Sequence, residues 1–212
     1  MDHSDLALVE RCQRGDRAAF EALVKRYQDR IYNFVYRMTE DPDEAEDLTQ
    51  EVFVRVYRSL PRFRGQASFQ TWLYRIASNL CIDRHRHQER SPQVVRSLDA
   101  PVEGPDGERE FEVPDWQSNP ESAFLSQELR EQVHRALASL TEKLRVVVVM
   151  YDMQGLSYEE IAQILRCPVG TVKSRLFNAR AALREALRPY VEGNEVRRHE
   201  MSSDQTAHLP VG

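Results

Sequence analysis

The chain has 212 residues, a formal net charge of −5 from 34 acidic and 29 basic side chains, and 41% hydrophobic residues. This length accommodates two small domains and a linker. Three features argue against an exported or membrane protein. No apolar run approaches the roughly 20 residues that cross a bilayer, and the acidic N-terminus lacks the basic start of a secretory signal. The cysteines are odd in number and widely spaced, so they form no disulfide or zinc pattern. We therefore expect a cytoplasmic protein with reduced thiols.

The charge is distributed in blocks. Residues 40–51 contain seven acids and no base, and residues 55–90 contain eight arginines against two acids. Residues 99–121 are again acidic, and residues 166–188 carry Lys and Arg against a single Glu. Because phosphate neutralisation is local, the basic blocks can bind DNA while the acidic blocks suppress indiscriminate binding. The pattern predicts a chain that binds DNA poorly alone and well only when another component aligns its two basic parts.

Residues 1–92 predict a first helical unit, because apolar side chains recur at helical spacing in four segments. Gly15 ends the first segment, and the second is a long amphipathic helix. Asp41-Pro42 provides a cap and a first-turn proline for the third segment. Ser68 is the expected cap of the fourth.

Within this unit, residues 63–87 combine aromatic side chains with arginines. Proteins that bind single-stranded nucleic acid use aromatic rings to stack on bases and cations to contact the backbone. The loop Phe63–Ala67 precedes a helix and could receive a base pulled from the stack. Phe69 and Trp72 fit a buried core face equally well, because their spacing is helical. The polar side chains of this segment are better candidates for base or phosphate contact than these two rings.

Residues 93–118 are acidic, rich in proline and poorly periodic, which predicts an extended linker. A second helical unit is expected over residues 119–192. In it, Val146–Val149 has strand propensity but lies between helical segments, so we predict a buried helix. Residues 193–212 lack periodicity and are predicted to be a disordered tail.

The most informative segment of the chain is Gly155–Arg180, which predicts two helices joined by a tight turn. Ser157 and Glu160 fit a capping box at the start of the first helix. Pro168 suits the first position of the second helix. That helix carries an apolar stripe on one side and a polar row with flanking basic residues on the other, which together form the layout of a helix-turn-helix that enters the major groove. A plain helical hairpin with a solvated face is the alternative, but the coincidence of these signals favours DNA binding.

With these segments in view, the chain resembles the extracytoplasmic-function (ECF) sigma factors of bacterial RNA polymerase, and relatives of the envelope-stress type in particular. DPDEAEDLTQEVFVRVYRSLPRFRG at 41–65 and SFQTWLYRIASNLCIDRHR at 68–86 are similar to the family's region two. NPESAFLSQELREQVHRALASL at 119–140, followed by the helix-turn-helix, is similar to its region four. The resemblance implies an all-α fold of two small helical domains joined by an extended acidic linker.

The resemblance also implies partners and site residues. The partners are core RNA polymerase, through its β′ clamp and β flap, promoter DNA, and an anti-sigma factor. Residues implied in polymerase binding are Asp43, Glu46, Asp47, Leu48, Gln50 and Glu51. Residues implied in minus-ten DNA binding are Phe63, Arg64, Gly65, Gln66, Ala67, Ser68, Trp72, Arg75, Asn79, Arg84 and Arg86. Residues implied in minus-thirty-five DNA binding are Pro168, Gly170, Thr171, Lys173, Ser174, Arg175, Phe177, Asn178 and Arg180.

One departure from the family affects base preference: relatives often have a basic residue where this chain has Asn178. No cofactor, metal or catalytic activity is expected, since no P-loop or nucleophile–base pattern occurs. Glu131-x-x-His134 matches half of a di-iron signature, and a solvated helix face explains it better. Two other function classes remain as alternatives. A regulator that acts without polymerase shares the helix-turn-helix but would need a receiver domain, and a nonspecific single-strand binder would need basic charge throughout.

Overall fold

A computed structural model describes the backbone of residues 4–90 and 120–204, and the side chains of residues 4–87 and 128–192. Every regular element in these ranges is helical, which confirms the all-α prediction. The α-helices are α1 (Asp5–Gln13), α2 (Arg17–Thr39), α3 (Pro42–Ser59), α4 (Phe69–Arg90), α5 (Pro120–Ala138), α6 (Glu142–Val148), α7 (Tyr158–Leu165) and α8 (Val169–Asp204). A 3-10 turn, Leu60–Arg62, follows α3, and a π-helical turn, Val149–Met153, follows α6.

The helices of the first unit begin at the polar residues that the sequence indicates. The side chain of Asp41 accepts a hydrogen bond from the amide of Glu44, and Ser68 Oγ accepts one from the amide of Thr71 at 3.0 Å. Each cap satisfies a backbone N–H that has no partner within its helix. α2 packs against α1, α3 and α4. The centre of this core is formed by Leu23, Ile31, Phe34, Val52, Val56, Leu73 and Ala77, all fully buried.

The second unit consists of α5 to α8. Val146–Val149 is buried within α6 and the π-helical turn, as the sequence predicts. Helices α6 and α7 both pack against α8. Val172, Leu176 and Ala179 supply the buried stripe of α8.

The two units pack against each other, and their buried side chains form one continuous cluster. The main junction is between α4 and α7. The hydroxyl of Tyr74 donates to Gln154 Oε1 at 2.6 Å, and Arg75 Nη2 donates to the carbonyl of Gln163 at 3.0 Å. Burial raises the pKa of the Tyr74 hydroxyl above its ordinary value.

Arg145 of α6 makes a second junction with the end of α2. Its Nη1 donates to the carbonyl of Met38 at 3.2 Å and pairs with the carboxylate of Glu40. Its Nη2 donates to Ala138 O at 2.6 Å and to Leu140 O at 3.3 Å within its own unit. A single buried guanidinium therefore binds the carbonyl end of α2 to the second unit.

Two sequence predictions need correction. α8 continues to Asp204, so the prediction that regular structure ends at residue 193 is wrong for residues 193–204. A helix that is already nucleated gains one hydrogen bond for each residue added, so its extension does not require the apolar stripe on which the prediction relied. α8 also starts at Val169, which places Pro168 one residue before the first helical position. The predicted linker and residues 205–212 lie outside the described residues, and the domain boundaries at 92, 118 and 192 remain predictions.

Candidate nucleic-acid interface

The helix-turn-helix has the local geometry that its sequence signals predict. Ser157 Oγ accepts from the amide of Glu160 at 3.2 Å, while a carboxylate oxygen of Glu160 accepts from the amide of Ser157 at 2.9 Å. This reciprocal pair is a complete capping box. Arg166 ends α7 in the left-handed region, with φ 51°, and its backbone N–H donates to the carbonyl of Ala162. The chain therefore reverses within three residues and starts α8 at a fixed angle.

α8 presents the expected residues to solvent, on the side opposite its buried stripe. Thr171 and Arg175 are half-buried, and the other members of the predicted minus-thirty-five set are exposed: Pro168, Gly170, Lys173, Ser174, Phe177, Asn178 and Arg180. Phe177 as a residue is 74% exposed, which is unusual for an aromatic residue. An apolar ring in that position suits contact with a thymine methyl group.

Two of the basic residues on α8 are already engaged within the protein. Arg180 pairs with Asp152 and lies over the ring of Tyr151, 5.3 Å from its centroid. The hydrogen bond to Asp152 raises the pKa of Arg180. Lys173 Nζ lies 5.5 Å from the centroid of the Tyr158 ring. Since Asp152 neutralises Arg180 locally, Arg175 and Lys173 carry more of the uncompensated positive charge on this face of α8.

The loop before α4 is held at both ends and open in its middle. At its start, the amide of Phe63 donates to Leu60 O at 3.0 Å. The Phe63 ring packs against Trp72, with centroids 4.9 Å apart. Arg64, Gly65 and Gln66 are exposed and Ala67 is half-buried. Gly65 has φ +67°, a conformation that favours glycine.

Some of the predicted minus-ten residues on α4 are exposed, and others have partners within the protein. Asn79 and Arg86 are exposed. Arg75, by contrast, is bound to the second unit, and Arg84 Nε forms an ion pair with Glu44 Oε1 at 2.5 Å. Phe69 is only 4% exposed, so it belongs to the core. Trp72 is half-buried, so for this residue both alternatives, a core position and contact with a base, stay open.

The acidic start of α3 forms a surface opposite the core. Asp43, Glu46, Asp47 and Gln50 are exposed there. Leu48 is half-buried and packs against the core, and Glu51 forms an ion pair with Arg55 at 2.7 Å. The predicted polymerase-binding residues therefore lie together on one helix, with Leu48 at the edge of that surface.

Four polar groups that join separate elements were not indicated by the sequence. Three of the groups are the side chains of Gln13, Arg145 and Gln154, and the fourth is the backbone carbonyl of Gln163, which accepts from Arg75. Their partners lie between 47 and 107 residues away along the chain, and no periodicity or motif signals such contacts.

The remaining candidate signals have ordinary structural partners. His134 stacks on Tyr36, with ring centroids 5.0 Å apart, and Glu131 pairs with Arg135 at 3.6 Å. Within the described residues, no group of three or more potential ligands could hold a metal ion. The described helices also include none that is long and apolar enough to span a membrane.

Family models match both units of the chain. The model described as "Sigma-70 region 2" matches residues 23–91, and the model described as "Sigma-70, region 4" matches residues 130–183. The first match contains α3, the loop and α4, and the second contains the helix-turn-helix.

Curated relatives match nearly the whole chain. The RNA polymerase sigma-H factor of Pseudomonas aeruginosa is 43% identical over 188 residues, which cover 87% of this chain and 94% of that protein. The ECF RNA polymerase sigma-E factor of Escherichia coli K12 is 44% identical over 188 residues, which cover 89% of this chain and 96% of that protein.

Solved structures share the fold. CnrH in complex with the cytosolic domain of CnrY has a TM-score of 0.63 at 23% identity, over 89% of this chain and 99% of that one. The sigma factor RpoE of Bartonella quintana, in complex with the anti-sigma factor NepR, has a TM-score of 0.59 at 24% identity, over 80% of this chain and 96% of that one. Both matches extend over most of the two helical units.

Proposed function

The chain belongs to the extracytoplasmic-function sigma factors of transcription initiation, and from that premise we propose that it binds core RNA polymerase, directs it to a two-element promoter and promotes DNA melting. The observation that carries this proposal is a pair of exposed polar and cationic surfaces on separate units. One is the outward face of α8, and the other is the loop 63–67 with the exposed residues of α4.

The outward face of α8 is the proposed reader of the minus-thirty-five element. Asn178 can form two hydrogen bonds with an adenine edge, and Arg175 can bind guanine or a phosphate. Thr171 and Ser174 can serve either base edges or the backbone. The buried stripe on the opposite side of α8 fixes the orientation of these groups, so they are preorganised for the major groove.

The loop 63–67 is the proposed site of minus-ten capture. Its exposed middle can receive a flipped base, while Trp72 and Phe63 offer aromatic surface beside it. Asn79 and Arg86 extend this polar surface along α4. We propose that these contacts stabilise the melted strand, because single-stranded DNA exposes ring faces that duplex DNA conceals.

The acidic surface of α3 is the proposed contact with the β′ clamp of the polymerase, and the second unit is the proposed contact with the β flap. Asp47 and Gln50 are exposed and belong to a helix that is firmly packed on its other side. Charge complementarity of this kind steers association and fixes the register of the complex.

The packed arrangement of the two units cannot read both promoter elements at once. The elements are named for positions about 25 base pairs apart, roughly 85 Å along B-DNA at about 3.4 Å per pair. Arg75 on α4, by contrast, is 3.0 Å from Gln163 on the first helix of the helix-turn-helix. Reading both elements therefore requires the units to separate, and we propose that polymerase binding holds them apart.

We also propose that an anti-sigma factor controls this chain and that the chain acts in the cytoplasm, where promoter DNA lies. The support is that two solved relatives are complexes, CnrH with the cytosolic domain of CnrY and RpoE with the anti-sigma factor NepR. The chain itself is expected to have no catalytic activity.

Runoff transcription with purified core polymerase on fragmented genomic DNA tests the proposal. We expect specific initiation that depends on this chain. Core polymerase alone and core polymerase with heat-denatured chain are the controls. If no fragment shows initiation above these controls, the proposed function is wrong.

A further inference from the structure

The last residue of α1 contacts the segment between α3 and α4, and we propose that Gln13 is a positioning residue for the minus-ten loop, residues 63–67. Gln13 Nε2 donates to Leu60 O at 3.1 Å and to Phe63 O at 2.8 Å. The inference rests on the proposed function, because the task of this loop is to capture a base. Gln13 lies outside the family-model match, which begins at residue 23.

The two carbonyl groups that Gln13 binds lie where the 3-10 turn gives way to the loop. Leu60 O also accepts the hydrogen bond from the Phe63 amide that closes the turn, whereas the carbonyl of Phe63 lies just after that bond. A side-chain donor to both carbonyl groups therefore reinforces the turn's own hydrogen bond and fixes where the turn ends. Leu60 is 3% exposed and anchored in the core. By bridging Leu60 and Phe63, the amide of Gln13 ties the first residue of the loop to that anchor.

The far end of the loop is fixed separately. Ser68 Oγ accepts from the amide of Thr71 at 3.0 Å and so caps α4. Between the two fixed ends, Arg64, Gly65 and Gln66 are exposed. A loop ordered in advance loses less entropy on binding than a free one, so fixing both ends favours base capture.

Packing holds the start of the loop on one side only. The Phe63 ring packs against Trp72, while the 3-10 turn borders an open surface pocket of about 390 Å³, whose wall includes Cys12, Phe20, Tyr57 and Pro61. Gln13 also lines this pocket, so its hydrogen bonds hold the turn on the side where protein atoms are missing.

The test compares Gln13→Met and Gln13→Glu in holoenzyme reconstituted with core polymerase. Both variants keep the approximate side-chain length and remove the donor, and only the second adds charge. Arg14→Gln is the matched control, because it changes the charge by the same amount at the adjacent exposed residue. The probes are the single-stranded non-template strand of a minus-ten region mapped by runoff transcription, and a duplex containing the minus-thirty-five element of the same promoter.

We expect both Gln13 variants to weaken binding of the single strand about fivefold, as for the loss of two partly exposed hydrogen bonds. Affinity for core polymerase and binding of the duplex should match wild type, the melting temperature should fall by no more than about 5 °C, and Arg14→Gln should bind both probes normally. Unchanged single-strand binding by Gln13→Met would overturn the positioning role, as would a loss accompanied by an equal loss of core affinity or by a larger fall in melting temperature. If wild-type holoenzyme binds neither probe, the proposed function itself fails.

Discussion

Replacing Arg145 tests whether the packed arrangement of the two units is held by one buried guanidinium. The side chain of Arg145 is 11% exposed, and two of its contacts, Met38 O and the carboxylate of Glu40, belong to the first unit. A hydrogen bond to a charged group contributes about 1.5–3 kcal/mol. Because the Glu40 side chain is 33% exposed, we use the low end of this range, which gives about 3 kcal/mol for the two contacts together. Loss of both contacts then shifts the equilibrium between packed and separated units roughly 100-fold toward separated units.

Small-angle X-ray scattering of the free chain measures this shift as an increase in radius of gyration and maximum dimension. Arg145→Met also removes hydrogen bonds within the second unit, so a second variant changes the partner residue of Arg145 in the first unit. Glu40 has φ 65°, a left-handed conformation that glycine adopts without strain, so Glu40→Gly removes the ion pair while easing the end of α2. Both variants should give more extended particles.

Arg135→Ala is the matched control. Arg135 is a neighbouring arginine whose ion pair with Glu131 lies on a single helix and is exposed, so its removal should leave the scattering curve unchanged. If Arg145→Met and Glu40→Gly both remain as compact as wild type, the contacts between α4 and α7 suffice without the guanidinium. The reasoning about Arg145 would then be refuted.

Three further predictions concern the proposed functional surfaces and the fold. Asp47→Lys combined with Glu51→Lys should abolish binding to core polymerase in pull-down assays while circular dichroism stays unchanged; unaltered affinity would show that the clamp contact lies elsewhere. Arg175→Ala should weaken binding of duplex minus-thirty-five DNA and reduce the salt slope by about one, whereas Arg184→Ala serves as an exposed basic control; equal effects would make Arg175 a nonspecific contact. Ser157→Ala should lower the free energy of unfolding by about 1 kcal/mol through loss of the capping box, and an unchanged denaturation midpoint would contradict that role.

The sequence predicts the local structure well because its signals are local. The caps at Asp41, Ser68 and Ser157 act within three residues of their own positions, so no tertiary information is needed to find them. The buried stripe of α8 follows equally from helical spacing, because one face must pack if the other is polar. Residues on both faces of α8 therefore lie where the pattern predicts.

The packing between units could not be predicted in the same way. Thr71 and Ser78 are each 1% exposed although they are polar, because they lie on the face of α4 toward the second unit or the core. Ser78 donates to the carbonyl of Arg75 in its own helix, but Thr71 donates to Glu160, 89 residues away in the sequence, at 3.4 Å. The engagement of Arg75 by the second unit has the same origin. Patterns along one helix cannot specify which distant helix will cover it.

The central claim is that this chain reads a promoter only when core polymerase separates and aligns its two DNA-binding surfaces. Fluorescence anisotropy of a labelled promoter duplex, with the chain alone and with the chain plus core polymerase at about 0.15 M salt, measures it most directly. The account predicts weak, unselective binding by the chain alone. It predicts a gain of at least about 100-fold in selective affinity when polymerase is added, because polymerase then holds apart the units that the Arg145 contacts keep together by roughly that factor. Tight and sequence-selective binding by the chain alone, unaffected by polymerase, would contradict it.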